Sequence, residues 1–99
     1  MTRVTQFLGL ASRARKLVTG EELVTKGIQN RKIVLVIISQ DASENTFKKI
    51  TDKCKTYNVG WVQFGDRDLL GQAIGKGPRV VIGVTDSGFS ARLQQLISK

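Results

Sequence analysis

The chain contains no histidine and one cysteine, Cys54. Without histidine, neither a Ser/His/acid triad nor a histidine-ligated metal centre can be built. One cysteine cannot form an internal disulfide or a cysteine zinc site, and it fits a reducing compartment. Carboxylates are few: eight Asp and Glu stand against sixteen Lys and Arg, for a net charge of +8. No apolar run approaches the roughly 20 residues of a membrane span. The N-terminal stretch lacks the apolar core of a secretory signal, and its apolar face is needed for folding. Ninety-nine residues with 40% apolar content make one domain, residues 1–99, with its own core. Its charge points to a polyanionic partner, nucleic acid before membrane, in a cytoplasmic setting.

What is present is an alternation of helix and strand. The run Ile33–Ile38 has no polar face and reads as a strand buried on both sides. Val80–Val84 reads the same way. Trp61–Phe64 reads as a third strand and Leu17–Val18 as a short edge strand. Helices are expected where apolar residues recur every three or four positions. Val4, Phe7, Leu8 and Ala11 mark the first, and Leu23, Val24, Gly27 and Ile28 the second. Phe47, Ile50, Cys54 and Tyr57 mark the third, Leu69, Leu70, Ala73 and Ile74 a short fourth, and Phe89, Leu93, Leu96 and Ile97 the last. Thr19 and Glu22 have capping-box spacing at the start of the second helix. Ser43, Asp66, and Asp86 or Ser87 supply caps for the later helices. The pattern predicts a three-layer α/β/α sandwich with strands joined by helical crossovers. Cys54, inside an apolar stripe, is expected in the core.

Little chemistry is on offer. Gly71–Lys76 fails as a phosphate loop, because its glycines are one residue too close and Gly77 replaces Ser or Thr. Asp41, Asp66 and Asp86 fall where caps are needed. Asp41 and Glu44 could hold magnesium, but nothing requires it, and no cofactor is expected. The polar turn Gln40–Asn45 follows a buried strand, where α/β ligands gather, so Gln40 is a candidate. Gly75, Gly77 and Pro78 allow close backbone approach, beside the charges of Lys76 and Arg79. Arg13, Arg15 and Lys16 form a basic run suited to phosphates. The start of the second helix, Gly20, Glu21 and Glu22 with Thr25 and Lys26 beyond, offers free N–H groups and an exposed polar face. Most lysines of the third helix, Lys48, Lys49, Lys53 and Lys55, are expected on a solvated face.

Three blocks, FLGLASRARKLVTGEE, LVIISQDASENTFKKI and LLGQAIGKGPRVVIGVTDSGF, carry a resemblance. The chain resembles the kink-turn-binding ribosomal-protein-like superfamily, and within it the small bacterial YlxQ-type proteins. The resemblance covers nearly the whole chain. It implies a mixed four-stranded sheet and binding to RNA, typically a kink-turn, a sharply bent internal loop with sheared G·A pairs. In that family the second helix opens with G-x-N-E-x-T-K, helped by the loop before the last strand. Here Gly20, Thr25 and Lys26 match. Glu22 stands where the family has Asn, and Leu23 where it has Glu. The expected partner is a kink-turn or other structured RNA, ribosomal or translation-associated, bound without catalysis by a monomer. The alternatives are a protein-interaction module of a ribosome-associated complex and an accessory to RNA modification.

Overall fold

A computed structural model describes residues 2–98. The elements follow the order α1 (Arg3–Arg13), β1 (Leu17–Thr19), α2 (Glu21–Gln29), β2 (Leu35–Ile38), α3 (Glu44–Thr56), β3 (Gly60–Gln63), α4 (Arg67–Ala73), β4 (Val81–Val84) and α5 (Ser87–Ile97). The sheet has four strands in the order β1-β4-β2-β3. β4 runs antiparallel to both β1 and β2, and β2 runs parallel to β3, so the sheet is mixed as expected. Two helical crossovers join parallel strands, β1–α2–β2, which passes over β4, and β2–α3–β3 between neighbours; β4 alone runs the other way, so the link through α4 is not a parallel crossover.

β2 and β4 are buried along their whole length, because helices cover both faces. Alternation sorts their side chains. Leu35, Ile37, Ile82 and Val84 meet Val4 and Leu8 of α1, Leu70 of α4 and Leu93 of α5. Val36, Ile38 and Val81 meet Val24 and Ile28 of α2 and Ile50 and Cys54 of α3. The result is the α/β/α sandwich, with α1, α4 and α5 on one side and α2 and α3 on the other. Cys54 is fully buried, and burial pushes its thiol up to about 11 from an ordinary 9.0. The run Ile33–Ile38 is not all strand. Ile33 is buried ahead of the strand and Val34 is exposed.

The helix ends carry the information that matters for function. Thr2, Ser43, Asp66 and Asp86 each accept a backbone N–H three residues on, capping α1, α3, α4 and α5. α2 has no such cap. It opens on Gly20 at φ 94°, a conformation that side chains avoid. The expected Thr19–Glu22 capping box does not form. Thr19 stays in β1, in register with Ile82, and its hydroxyl instead accepts from Arg79 Nε at 3.3 Å.

The first four helices all close with a Schellman motif, in which the two residues beyond the cap donate back into the last turn. The residue that must turn left-handed is Arg15 (φ 60°), Arg31 (φ 59°), Asn58 (φ 57°) and Gly75 (φ 72°) in turn. Glycine and asparagine suit that position. An arginine there carries a steric cost of about 1–2 kcal/mol.

Candidate nucleic-acid interface

The sheet registers settle which loops meet. β1 ends, β2 ends and β4 begins at one edge, since Thr19 pairs with Ile82 and Ile38 with Val81. That edge holds the start of α2, the Gly75–Val80 loop and the polar turn Ser39–Ser43. It also holds the capped start of α3. We call it the reading edge.

Its first component is the open helix start. The N–H groups of Glu21, Glu22 and Leu23 have no intrahelical acceptor, and no side chain caps them. Glu21 and Glu22 complement the helix dipole at this end. They do so differently. The Glu21 carboxylate is tied to α3, by Lys49 Nζ at 3.1 Å and by Thr46 Oγ1 at 3.4 Å. The Glu22 side chain is 86% exposed and meets only Lys26, at 3.8 Å and one turn on. Thr25 donates its hydroxyl to the Glu21 carbonyl at 2.7 Å, which turns its oxygen into the helix. Lys26 is 65% exposed. These residues, with Gln29 and Lys49, line a shallow depression along α2.

A second depression adjoins it at Glu21 and is bounded by Thr19, Gly20, Thr46 and Pro78–Val81. The loop on its far side is held firmly. A Cβ on Gly71 would fall about 2.1 Å from the Gly77 carbonyl oxygen, so α4 and the loop touch backbone to backbone. Arg79 folds over its own loop: Nη1 donates to the Gly77 and Pro78 carbonyls at 3.1 and 3.0 Å, and Nε to Thr19. Its Nη2 remains for an outside acceptor, while Lys76 is exposed with no ion-pair partner among the described residues.

Gln40 lies on the same edge but outside both depressions, its N–H bonded to the Gly65 carbonyl at 2.7 Å. Next to it, Asp41 accepts from the Arg67 N–H and Nε, each at 3.1 Å, serving the start of α4 from across the edge. The Ser39 hydroxyl, then Arg67, hold the Asp41 carboxyl below its usual range, although buried Ser39 Oγ lacks a partner in full hydrogen-bond geometry. No group of three metal-ligating side chains occurs among the described residues, and no helix is long and apolar enough to cross a membrane.

Two placements depart from the sequence reading. Leu23 does not share the inward face of α2; it is 58% exposed beside Glu22. Arg13, Arg15 and Lys16 lie at the other edge of the sheet, where Lys16 accepts from the Thr85 N–H past the end of β4. The residues that sequence reasoning passed over are Thr46 and Lys49. They belong to the DASENT-x-KK block quoted for the resemblance, and that was the one signal for them.

Comparison with known proteins supplies the lineage. RNA-binding protein YlxQ of Bacillus subtilis (strain 168) is 52% identical over 91 residues, covering 92% of this chain and 91% of its own. RNA-binding protein YlxQ of Enterococcus faecium is 43% identical over 95 residues, covering 96% and 91%. Among solved structures, a protein of unknown function from Bacillus halodurans C superposes with TM-score 0.97 at 50% identity, each chain fully covered. The Giardia lamblia 15.5kD RNA binding protein has the same fold, with TM-score 0.81 at 18% identity over 96% of this chain and 82% of its own. The profile of the Ribosomal protein L7Ae/L30e/S12e/Gadd45 family matches residues 2–94. With that match and those relatives, the chain belongs to the Ribosomal protein L7Ae/L30e/S12e/Gadd45 family.

Proposed function

We propose that this chain is a non-catalytic RNA-binding protein that recognises a bent, kink-turn-like RNA at the reading edge. The names of both YlxQ relatives support RNA as the partner, and the +8 charge supports a polyanion. The observation that carries the site is the start of α2. It alone of the five helices lacks a side-chain cap, and its open N–H groups sit beside the exposed Glu22 and Lys26. Open donors and an exposed carboxylate suit base edges, since a carboxylate accepts from guanine N–H groups and repels phosphate. Gly20 allows close approach, and Lys76 with the remaining donors of Arg79 reaches phosphates on the far side of the groove. Gly75, Gly77 and Pro78 shape that side, and Gln40 extends the edge. Such a surface fits RNA whose bases are splayed by a bend, because the A-form major groove is too narrow for side chains. The ribosomal character of the family supports a ribosomal or translation-associated RNA.

The test is a titration of wild type and Lys26→Ala against a kink-turn RNA and a control whose G·A pairs are replaced by Watson–Crick pairs. Lys26→Ala is expected to cost about 1–3 kcal/mol on the kink-turn and far less on the control. Equal losses on the two RNAs, or none, would remove kink-turn reading. Wild-type affinity for the kink-turn should fall with salt at a log–log slope of about −2, from the phosphates met by Lys76 and Arg79, and Lys76→Ala should reduce that slope by about one. A flat salt dependence would remove RNA backbone binding altogether.

A further inference from the structure

The edge of the sheet opposite the reading edge gathers cations without the paired carboxylates that accompany them at the reading edge. β1 and β2 begin there and β4 ends there, since Leu17 and Leu35 both pair with Val84. β3 begins beside them, with Gly60 opposite Leu35. The three turns that enter these strands from α1, α2 and α3 therefore form one row, three strand spacings or roughly 14 Å across. The row carries Arg13, Arg15, Lys16, Arg31, Lys32 and Lys55, and the carboxylates near it are Asp86, ahead of α5, and Asp52, one turn before Lys55 on α3.

A structural reason exists for some of this charge. Three helix C-termini converge here, each worth about half a negative charge. That is less than two charges, against six cations. The ion pairs point the same way. All three among the described residues, Lys26–Glu22, Lys49–Glu21 and Arg67–Asp41, belong to the reading edge or to α2 above it. The cations of the opposite row have no carboxylate partner among the described residues. Asp86 spends its carboxylate on the Phe89 N–H.

The left-handed turn positions add an independent observation. At the equivalent place after α3 and α4 the chain uses Asn58 and Gly75, the residue types that suit it. After α1 and α2 it uses Arg15 and Arg31, despite the steric cost. Arg31 is further steadied over the ring of Tyr57, 5.8 Å from its centroid, which holds its guanidinium at the row. Folding alone would favour Asn or Gly at both places. Charge held at a conformational cost, unpaired and aligned in a row, fits a partner that supplies a line of negative charge.

We propose that this basic edge is a second RNA-holding surface, gripping phosphates without reading bases, so that one molecule holds two RNA segments on opposite edges. The inference takes RNA as the partner from the proposed function but does not need kink-turn recognition. Arg13, Arg15 and Lys16 then act with Arg31 and Lys32, not with Lys26 and Lys76.

The experiment saturates the protein with a kink-turn RNA at low salt and titrates in a labelled plain RNA duplex. The duplex is expected to join the complex without displacing the first RNA. In the Arg13→Gln/Arg15→Asn/Lys32→Gln variant its affinity should fall at least tenfold, and its salt slope should shrink by about 2–3. Kink-turn affinity should change less than twofold. Because asparagine suits the left-handed turn, this variant should melt no lower than wild type, which a purely structural role for the arginines would not allow. Lys26→Ala should leave duplex binding unchanged. Displacement of the kink-turn by the duplex, or equal duplex affinity in wild type and triple variant, overturns the proposal. If no kink-turn binds at all, the reading-edge function fails, and the duplex titration on free protein still judges the basic edge by the same comparison of variants.

Discussion

The two edges of the sheet are built from the same elements and end with opposite surfaces. At the reading edge helices begin, carboxylates cluster, and most charges are engaged: Glu21 with Lys49, Asp41 with Arg67, Arg79 with its own loop. At the basic edge α1, α2 and α3 end and only α5 begins, cations line up, and none has a carboxylate partner among the described residues. The direction of the helices explains part of this difference, since acids suit helix starts and bases suit helix ends. What it does not explain is which groups stay free. At the reading edge these are few and directional: the N–H groups of α2 and Lys76, with Glu22 and Lys26 tied only to each other in an exposed pair at 3.8 Å. Directional groups suit discrimination, whereas a row of unpaired cations suits affinity.

The largest effect that would break this comparison comes from Gly71. Alanine there would drive its Cβ into the Gly77 backbone, and neither side is a flexible side chain that can swing away. Gly71→Ala is expected to cost about 3 kcal/mol or more in stability, seen as a lowered urea midpoint. In the folded fraction the 75–79 loop must shift, so kink-turn binding should weaken while duplex binding at the basic edge persists. Equal loss of both would show that the two edges are not independent.

How much of this was legible beforehand differs between the edges. The all-apolar runs around Leu35–Ile38 and Val81–Val84 gave the doubly covered strands, and Ser43, Asp66 and Asp86 gave their caps, because each signal is local. Cys54 was legible for the same reason. The start of α2 was not. Thr19 and Glu22 have capping-box spacing, but pairing with β4 keeps Thr19 extended and Arg79, sixty residues away, takes its hydroxyl. Leu23 follows the helical period closely enough to be assigned inward, yet α3 and the sheet cover only the Val24 and Ile28 side of α2. Arg13 to Lys16 and Gly20 are close in sequence and separate in space, because the short β1 between them spans the sheet from edge to edge. Charge in one stretch of sequence does not establish charge on one surface.

A next effect concerns the core between the edges, which should change stability and neither RNA contact. Cys54→Ser places a hydroxyl among Ile50, Ile28 and Val36 and is expected to cost about 1–3 kcal/mol. The wild type also has an alkaline signature. Its thiol is raised to about 11 when folded against 9.0 when free, so the unfolded chain releases its proton first as pH rises. Stability from this group is complete below pH 9, declines from 9 to 11, and is then lost, by up to about 2–3 kcal/mol. Serine does not titrate there. The difference in stability between wild type and Cys54→Ser should therefore shrink between about pH 9 and pH 11; a constant difference would place Cys54 outside the sealed core. RNA affinity of the folded variant on both RNAs should match wild type.

The smallest expected change in stability is at Glu22, and it sharpens the comparison most. Its partner Lys26 is 3.8 Å away, and both side chains are largely exposed, so the pair contributes about 0.2–0.5 kcal/mol to the helix at best. Glu22→Gln should leave the melting temperature almost unchanged. In the proposed binding mode the carboxylate would act in two opposed ways, accepting from guanine N–H groups and repelling the phosphates that an RNA brings close to α2. Its neighbour Glu21 cannot substitute, because Lys49 and Thr46 hold that carboxylate against α3. Glu22→Gln is therefore expected to bind the kink-turn more weakly and the Watson–Crick control more strongly, narrowing the ratio from both directions. The basic edge should not register the change at all, since the substitution lies at the far end of α2 from Arg31. If Glu22→Gln shifts kink-turn and control equally, Glu22 is a solvated partner of Lys26 and discrimination must rest on the open N–H groups and Lys26 alone.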